Sequence, residues 1–427
     1  MGYCCSRAFS ALRVLLIVPG ALFNGVAFAQ AATSTLTLDA AIARALADNP
    51  GLRAAGYDVE IARARHDAAA LTTPLVVGAE IENFAGTDSL GGFDRSETTL
   101  QLSKVLERGD RPSLRSALGD ARVALAETES RVARLDVGAE VTRRFVRIVV
   151  DQKRLVLAEQ ATDIARELLG VVERRYEAGR SSEAELATAE IALAQAELER
   201  ATIERGLDSD RVSLATLWGD TRADFARARG ALFELPGVEA FESVQERIAQ
   251  SPDMLRLASE QRIAEAQQRL AESRRRADLS VAFGLRHLAA PDDTAFTVSA
   301  SLPLGARSRA VPSISEATAQ RARLPEVIAQ RRLDLHAVAF ELHTAMELAR
   351  ERFVTIEESL IPRSERAVAL YRAGFELGSY SLLELTQAQR ELLSLRSSAL
   401  AAASDFHLTL IDIEQLLGGI DLSGASQ

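Results

Sequence analysis

The side chains that most often perform catalysis or hold metals are few and poorly grouped in this chain of 427 residues. Its five histidines are His66, His287, His336, His343 and His407, and none lies four residues from another, the helical spacing that lets two imidazoles share one ion. His336 and His343, seven apart, are too far separated along a helix to clamp one ion unaided. The two lysines, Lys104 and Lys153, are not preceded by glycine, so no GxxxxGK phosphate loop exists, and neither GxSxG nor HExxH occurs. Carboxylates are plentiful, but on long helices such residues form solvated faces. The expectation is a protein that is not an enzyme, with no catalytic residue, no metal ligand and no cofactor.

Composition narrows the class further. A chain 47% apolar and 26% charged is too hydrophobic to be disordered and too charged to be a bundle of membrane helices. Beyond Asp39 the longest run free of Asp, Glu, Lys and Arg is 294–306, short of the roughly 20 apolar residues a membrane helix needs. The formal net charge is −10 and the basic residues are interspersed with acids, so nucleic acid is not an expected partner. At the N-terminus, Arg7 and Arg13, an apolar run over 14–28 and the small-x-small site Ala27-Phe28-Ala29 predict a signal peptide over 1–29. Its removal takes away Cys4 and Cys5 and leaves Gln30 first, so neither a disulfide nor a lipid anchor is expected.

The remainder is a tandem repeat. At an offset of 199, Tyr176-Glu177-Ala178-Gly179 falls on Phe375-Glu376-Leu377-Gly378, Glu185-Leu186 on Glu384-Leu385, and Leu217-Trp218-Gly219 on Leu416-Leu417-Gly418. The expected organisation is a first repeat over 30–218, a linker over 219–240, a second repeat over 241–418 and a tail over 419–427. Most of each repeat reads as long helix. Leu385, Ala388, Leu392, Leu395, Ala399, Ala402, Phe406, Leu410, Ile413 and Leu417 form a heptad seam, which its first-repeat counterpart interrupts with Arg200 and Arg211. The stretch 112–176, without internal proline, predicts one helix on the order of 100 Å long. Gly179 and Gly378 sit at matched breaks between helices and predict two hairpin tips.

Four segments alternate with period two instead. Leu75, Val77, Ala79 and Ile81 oppose Glu80 and Glu82; Thr98, Leu100 and Leu102 oppose Gln101 and Ser103; Leu279, Val281, Phe283 and Leu285 oppose Gly284 and Arg286; Phe296, Val298 and Ala300 oppose Thr297 and Ser299. Two β-hairpins, about 75–104 and about 278–303, are predicted. Their strands approach the 9 to 11 residues that a tilted strand needs to cross a bilayer. Unpaired strand edges in hydrocarbon are costly and membrane barrels start at about eight strands, so four strands must be pooled with those of identical chains. Glu80, Glu82, Gln101 and Arg286 are then candidate residues of a barrel lumen.

Taken together, the signal peptide, the duplicated helix, hairpin, long helix and helix, and the segment Phe375-Glu376-Leu377-Gly378-Ser379-Tyr380-Ser381-Leu382-Leu383-Glu384-Leu385-Thr386-Gln387-Ala388-Gln389 resemble the TolC-like outer-membrane efflux proteins. The phrase Leu102-Ser103-Lys104-Val105-Leu106-Glu107-Arg108-Gly109-Asp110-Arg111 is similar to the cobalt-zinc-cadmium branch of that family. The resemblance implies a mainly α chain with a β-barrel contribution. It implies a homotrimer whose 12-stranded barrel sits in outer-membrane lipid and continues as an α-helical tunnel of coiled-coil helices through the periplasm. A periplasmic adaptor (membrane fusion) protein and an inner-membrane efflux pump are the implied partners, and a heavy-metal cation or a drug the implied cargo. Competing readings are the outer-membrane channel of a protein secretion system and a periplasmic coiled-coil adaptor. By the same resemblance, Gly179, Arg180, Ser181, Gly378, Ser379 and Tyr380 are candidate adaptor contacts. Glu384 matches an acidic ring at the periplasmic gate, where three converging carboxylates would raise one another's pKa. Gln387, one turn on, stands where a second acidic ring would be expected.

Overall fold

The computed structural model describes residues 35–419. The signal peptide expected over 1–29 and the expected tail beyond Gly419 lie outside the described residues.

The described residues open with a two-residue strand, β1 (Thr35–Leu36), then α1 (Leu38–Asp48) and α2 (Pro50–Ala70). Asn49 separates the two helices: its side chain accepts the Leu52 N–H at 3.0 Å, and Pro50 enters α2 at a position where no N–H is needed. A hairpin follows, β2 (Leu75–Glu82) and β3 (Glu97–Leu106), and then α3 (Arg111–Glu177), 67 residues or about 100 Å at 1.5 Å per residue. α4 (Glu183–Ala215) returns alongside it. Between the repeats, β4 (Arg227–Ala228) pairs in parallel with β1. Two histidines hold the connecting segment: His343 Nε2 lies 2.8 Å from the Glu239 carbonyl and His407 Nε2 lies 2.9 Å from that of Leu232.

The second half repeats the order with α5 (Phe241–Arg247), α6 (Pro252–Ser273), β5 (Leu279–Leu288), β6 (Asp293–Ser301), α7 (Ala306–Thr355), α8 (Ile361–Glu376) and α9 (Leu382–Leu417). Ser251 before Pro252 caps α6 as Asn49 caps α2. The helix matching α3 is not continuous. A π turn over Ile356–Leu360 joins α7 to α8 and ends two residues before Pro362, whose ring would press on the Glu358 carbonyl in a regular helix. No helix among the described residues is long and apolar enough to cross a membrane.

The helices pack along narrow seams. One core cluster joins Val141, Phe145 and Ile148 of α3, Leu207 and Leu214 of α4, Trp218, and Ala399, Leu400 and Ala403 of α9. A second joins Val244, Leu257, Leu335, Met346, Phe406 and Ile413. The heptad seam of α9 buries Leu385, Ala399, Ala402, Phe406, Ile413 and Leu417, whereas the first repeat buries only Ala189, Leu207, Leu214 and Trp218 of the corresponding set. Arg211, within the weaker seam, is turned to donate to the Ala226 carbonyl at 2.6 Å.

Candidate functional site: the sheet and the helical tips

The two hairpins combine into one antiparallel sheet of order β2-β3-β5-β6. Its register sorts the side chains by face. Val77, Leu102, Phe283 and Val298 form one cross-strand row and Ala79, Leu100, Leu285 and Phe296 the next. This face is bare: Phe296 is 88% exposed, Val77 77% and Val298 71%. So large an apolar surface on a soluble protein would drive aggregation; it suits lipid.

The opposite face is polar, and it gathers Glu80, Glu82, Gln101 and Arg286. Glu80, Thr99 and Arg286 share a cross-strand row, as do Glu82 and Glu97. Arg286 pairs with Glu97 at 2.8 Å and Glu82 at 3.1 Å, and its Nε donates to the Thr99 hydroxyl at 3.0 Å. Gln101 lies between Gly78 and Gly284. A Cβ on Gly284 would come within 2.7 Å of the Leu100 carbonyl oxygen, so this strand crossing requires glycine. At the base of the sheet Arg115 of α3 binds Glu107 and donates to the carbonyls of Ala69 at 2.8 Å and Leu71 at 3.0 Å, tying the end of α2 to the end of β3.

About 100 Å away along α3 lie the helical tips, which share no contact with the lumen candidates. Both turns use the same backbone chemistry. Gly179 (φ 68°) and Gly378 (φ 76°) adopt the left-handed conformation that closes a helix. The Arg180 N–H reaches the Arg175 carbonyl at 2.7 Å, and the Ser379 N–H reaches that of Gly374 at 2.8 Å. Ser182 then caps α4 and Ser381 caps α9, each in a capping box with the glutamate three residues on, Glu185 and Glu384. The S-x-x-E spacing of these boxes is readable in the sequence and was the missed signal for Ser182 and Ser381.

Glu384 is therefore engaged within its own chain: its Oε2 accepts both the N–H and the hydroxyl of Ser381 at 2.8 Å. The Ser381 N–H, and then its hydroxyl, hold the carboxyl below its ordinary 4.5. Any rise from converging copies would start from this lowered value. Gln387 is exposed one turn further along. Tyr380 folds back onto α8, its ring 4.9 Å from that of Tyr371 and lying over Gly374, where a Cβ would come within 2.1 Å of Tyr380 Cδ2. Arg180, Ser379 and Gly378 are exposed, and Ser181 is half-buried and bonded to Glu185.

A family model described as outer membrane efflux protein matches residues 41–220 and 243–419, one segment in each half of the duplicated chain. The chain is similar to the cobalt-zinc-cadmium resistance protein CzcC of Cupriavidus metallidurans, with 25% identity over 391 residues and 92% of each protein covered. Among solved structures, a membrane protein from Pseudomonas aeruginosa shares the fold at TM-score 0.75 and 20% identity, with 90% of each chain covered. The outer membrane protein VceC from Vibrio cholerae does so at TM-score 0.72 and 16% identity, over 90% of this chain and 96% of that one. At such identities the two structures speak to the fold alone. The family match spans both halves and agrees with a sheet that is bare and apolar on one side, polar on the other, and set at one end of long helices. The chain thus belongs to the outer membrane efflux protein family, whose members are transport conduits, and it is an efflux channel of the outer membrane that extends into the periplasm.

Proposed function

We propose that the chain is one third of a homotrimeric channel. Three four-stranded sheets join β6 to β2 around a 12-stranded barrel in outer-membrane lipid, and the paired helices continue it as a tunnel. The observation that carries this reading is the sheet: its outer face is apolar and bare, and β2 and β6 each end it with an unpaired edge. Backbone groups on such edges, several kcal/mol each in hydrocarbon, need a partner strand, and among the described residues none is left to supply one. Glu80, Glu82, Gln101 and Arg286 then face the lumen. The tip residues Gly179, Arg180, Ser181, Gly378, Ser379 and Tyr380 meet a periplasmic adaptor, and Glu384 with Gln387 lines the entrance. The similarity to a cobalt-zinc-cadmium resistance protein supports divalent heavy-metal cations as the cargo, driven by an inner-membrane pump. In this scheme 1–29 directs export, and 30–218 and 241–418 act as the two repeats about the linker 219–240.

Purification from the outer membrane in mild detergent tests the assembly. A particle of three chains is expected, and a pair of cysteines introduced on β2 and β6 should cross-link between chains. Recovery as a monomer, or cross-links only within one chain, would overturn it. Cargo is tested by deletion: cells lacking the chain should lose tolerance to zinc, cobalt or cadmium and regain it on complementation.

A further inference from the structure

Basic residues that are scattered through the sequence converge at one groove beside the β1–β4 pair. The groove has a volume of about 590 Å³ and is bordered by α3, α4 and the connecting segment. Among the described residues its cations are Lys153 of α3, Arg211 of α4, and Arg227 and Arg229 of the β4 segment, against one carboxylate, Glu159. That balance runs opposite to the chain as a whole, whose net charge is −10.

The arrangement is built rather than incidental. Gln152 clamps the backbone of Ala228 from both sides, donating to its carbonyl at 2.8 Å and accepting its N–H at 3.0 Å. The Arg229 N–H continues the ladder to the Leu36 carbonyl at 3.0 Å. Ala228 is buried, so its neighbours two apart, Arg227 and Arg229, share the other, exposed face. Arg211 spends its guanidinium on Asp208 at 2.7 Å and on the Ala226 carbonyl, bracing the same segment. Lys153 lies 5.8 Å from the centre of the Phe233 ring. Among the described residues, Lys153, Arg227 and Arg229 form no ion pair with a carboxylate, so three unpaired cations surround one groove that holds one carboxylate.

Between them the floor is aliphatic, with Val149, Val156 and Leu207, and among the described residues no aromatic side chain lines the groove. A lone inorganic anion would leave that floor uncovered, and a sugar strand would find no ring to stack on. From this combination we infer that the groove docks an acidic peptide segment of a partner protein, carboxylates on the three cations and aliphatic side chains on the floor. The site draws on neither the barrel nor the tips, so it stands or falls separately from the trimeric channel.

The full-length protein in detergent is titrated with a labelled peptide that alternates glutamate and leucine, followed by fluorescence anisotropy. Saturable binding is expected, weakening by at least about tenfold when salt rises from about 0.05 to about 0.5 M. Arg227→Glu together with Arg229→Glu should weaken it by about tenfold or more, and Lys153→Gln, on a different element, by about threefold. Size-exclusion profiles of the variants verify folding. No binding, as when a second copy of the chain covers the groove, overturns the site. So does equal binding of a peptide with lysine in place of glutamate, or indifference to all three substitutions. Binding of a carboxylated oligosaccharide but not the acidic peptide would reassign the groove to a glycan and refute the peptide. Inorganic phosphate competing as well as the peptide would reduce it to a free-anion site.

Discussion

The two helical tips are the same turn with different surroundings. Each closes on a left-handed glycine and reopens on a serine capping box, and the matched residues stand 199 apart. What differs is the dressing. The second tip exposes Leu377 (83%) and Leu383 (73%) and pins Tyr380 over Gly374; the first carries Ala178, Ala184 and Ser181 at those places, and Arg175 where the second has Gly374. Duplication has thus kept the groups that satisfy helix-end backbone, whose loss would weaken either turn, and let the outward residues diverge. The shared chemistry sets the turn, and the unshared residues are free to set what the turn meets.

The largest effect is expected at the residue that exists only in the second tip's design. Glycine inside a helix is ordinarily improved by alanine, by up to about 1 kcal/mol. A methyl on Gly374 would meet the Tyr380 ring, so Gly374→Ala should instead cost about 1–3 kcal/mol of local tip stability, read by hydrogen exchange over 379–385. In a Tyr380→Ala background the sign should invert. If Gly374→Ala is neutral with Tyr380 present, the ring is not held as described and the contrast between the tips loses its main support.

Next come the features both tips share. Gly179→Ala and Gly378→Ala should each cost about 1 kcal/mol, because both residues hold a positive φ and neither has a neighbour within 4 Å of an added Cβ. The costs should be equal within measurement. A clear inequality would show that Tyr380 and its contacts stabilise the turn itself. Ser182→Ala and Ser381→Ala should each cost about 1 kcal/mol through the lost caps.

How far these features were readable in advance depends on the range of the interaction that fixes them. Period-two alternation revealed all four strands and that Glu80, Glu82, Gln101 and Arg286 share one face, because a face of one character writes itself into every second residue. The absence of proline over 113–176 marked α3 to within about a residue at each end. The tip glycines were legible because only glycine closes such a turn cheaply. By contrast, the joining of β3 to β5 pairs residues from different repeats, and no local pattern states it. The seat of Tyr380 on Gly374 and the meeting of Lys153 with Arg227 and Arg229 likewise depend on packing between segments. The π turn before Pro362 had a visible cause, but a proline predicts a disturbance without saying what form it takes.

The smallest structural change carries the sharpest question. Glu185 and Glu384 both sit below the ordinary carboxylate value of 4.5, the first chiefly through the Ser181 hydroxyl and then the Ser182 N–H, the second through the Ser381 N–H and then its hydroxyl. A carboxyl whose pKa is depressed by folding supports the fold above its unfolded value and ceases to as pH falls through the folded one. Exchange protection at both tips should therefore be flat near neutrality and fall only in acid below about pH 4.5. Glutamine serves a capping box as glutamate does, so Glu384→Gln and Glu185→Gln should preserve both turns and abolish that acid sensitivity at the substituted tip. The charge is then the only thing removed. If Glu384 lines the entrance, its glutamine variant should lower cation preference across a planar bilayer while Glu185→Gln leaves it unchanged. Equal shifts from both, or none from either, would return Glu384 to the role its partner at the first tip already has, a helix cap and nothing more.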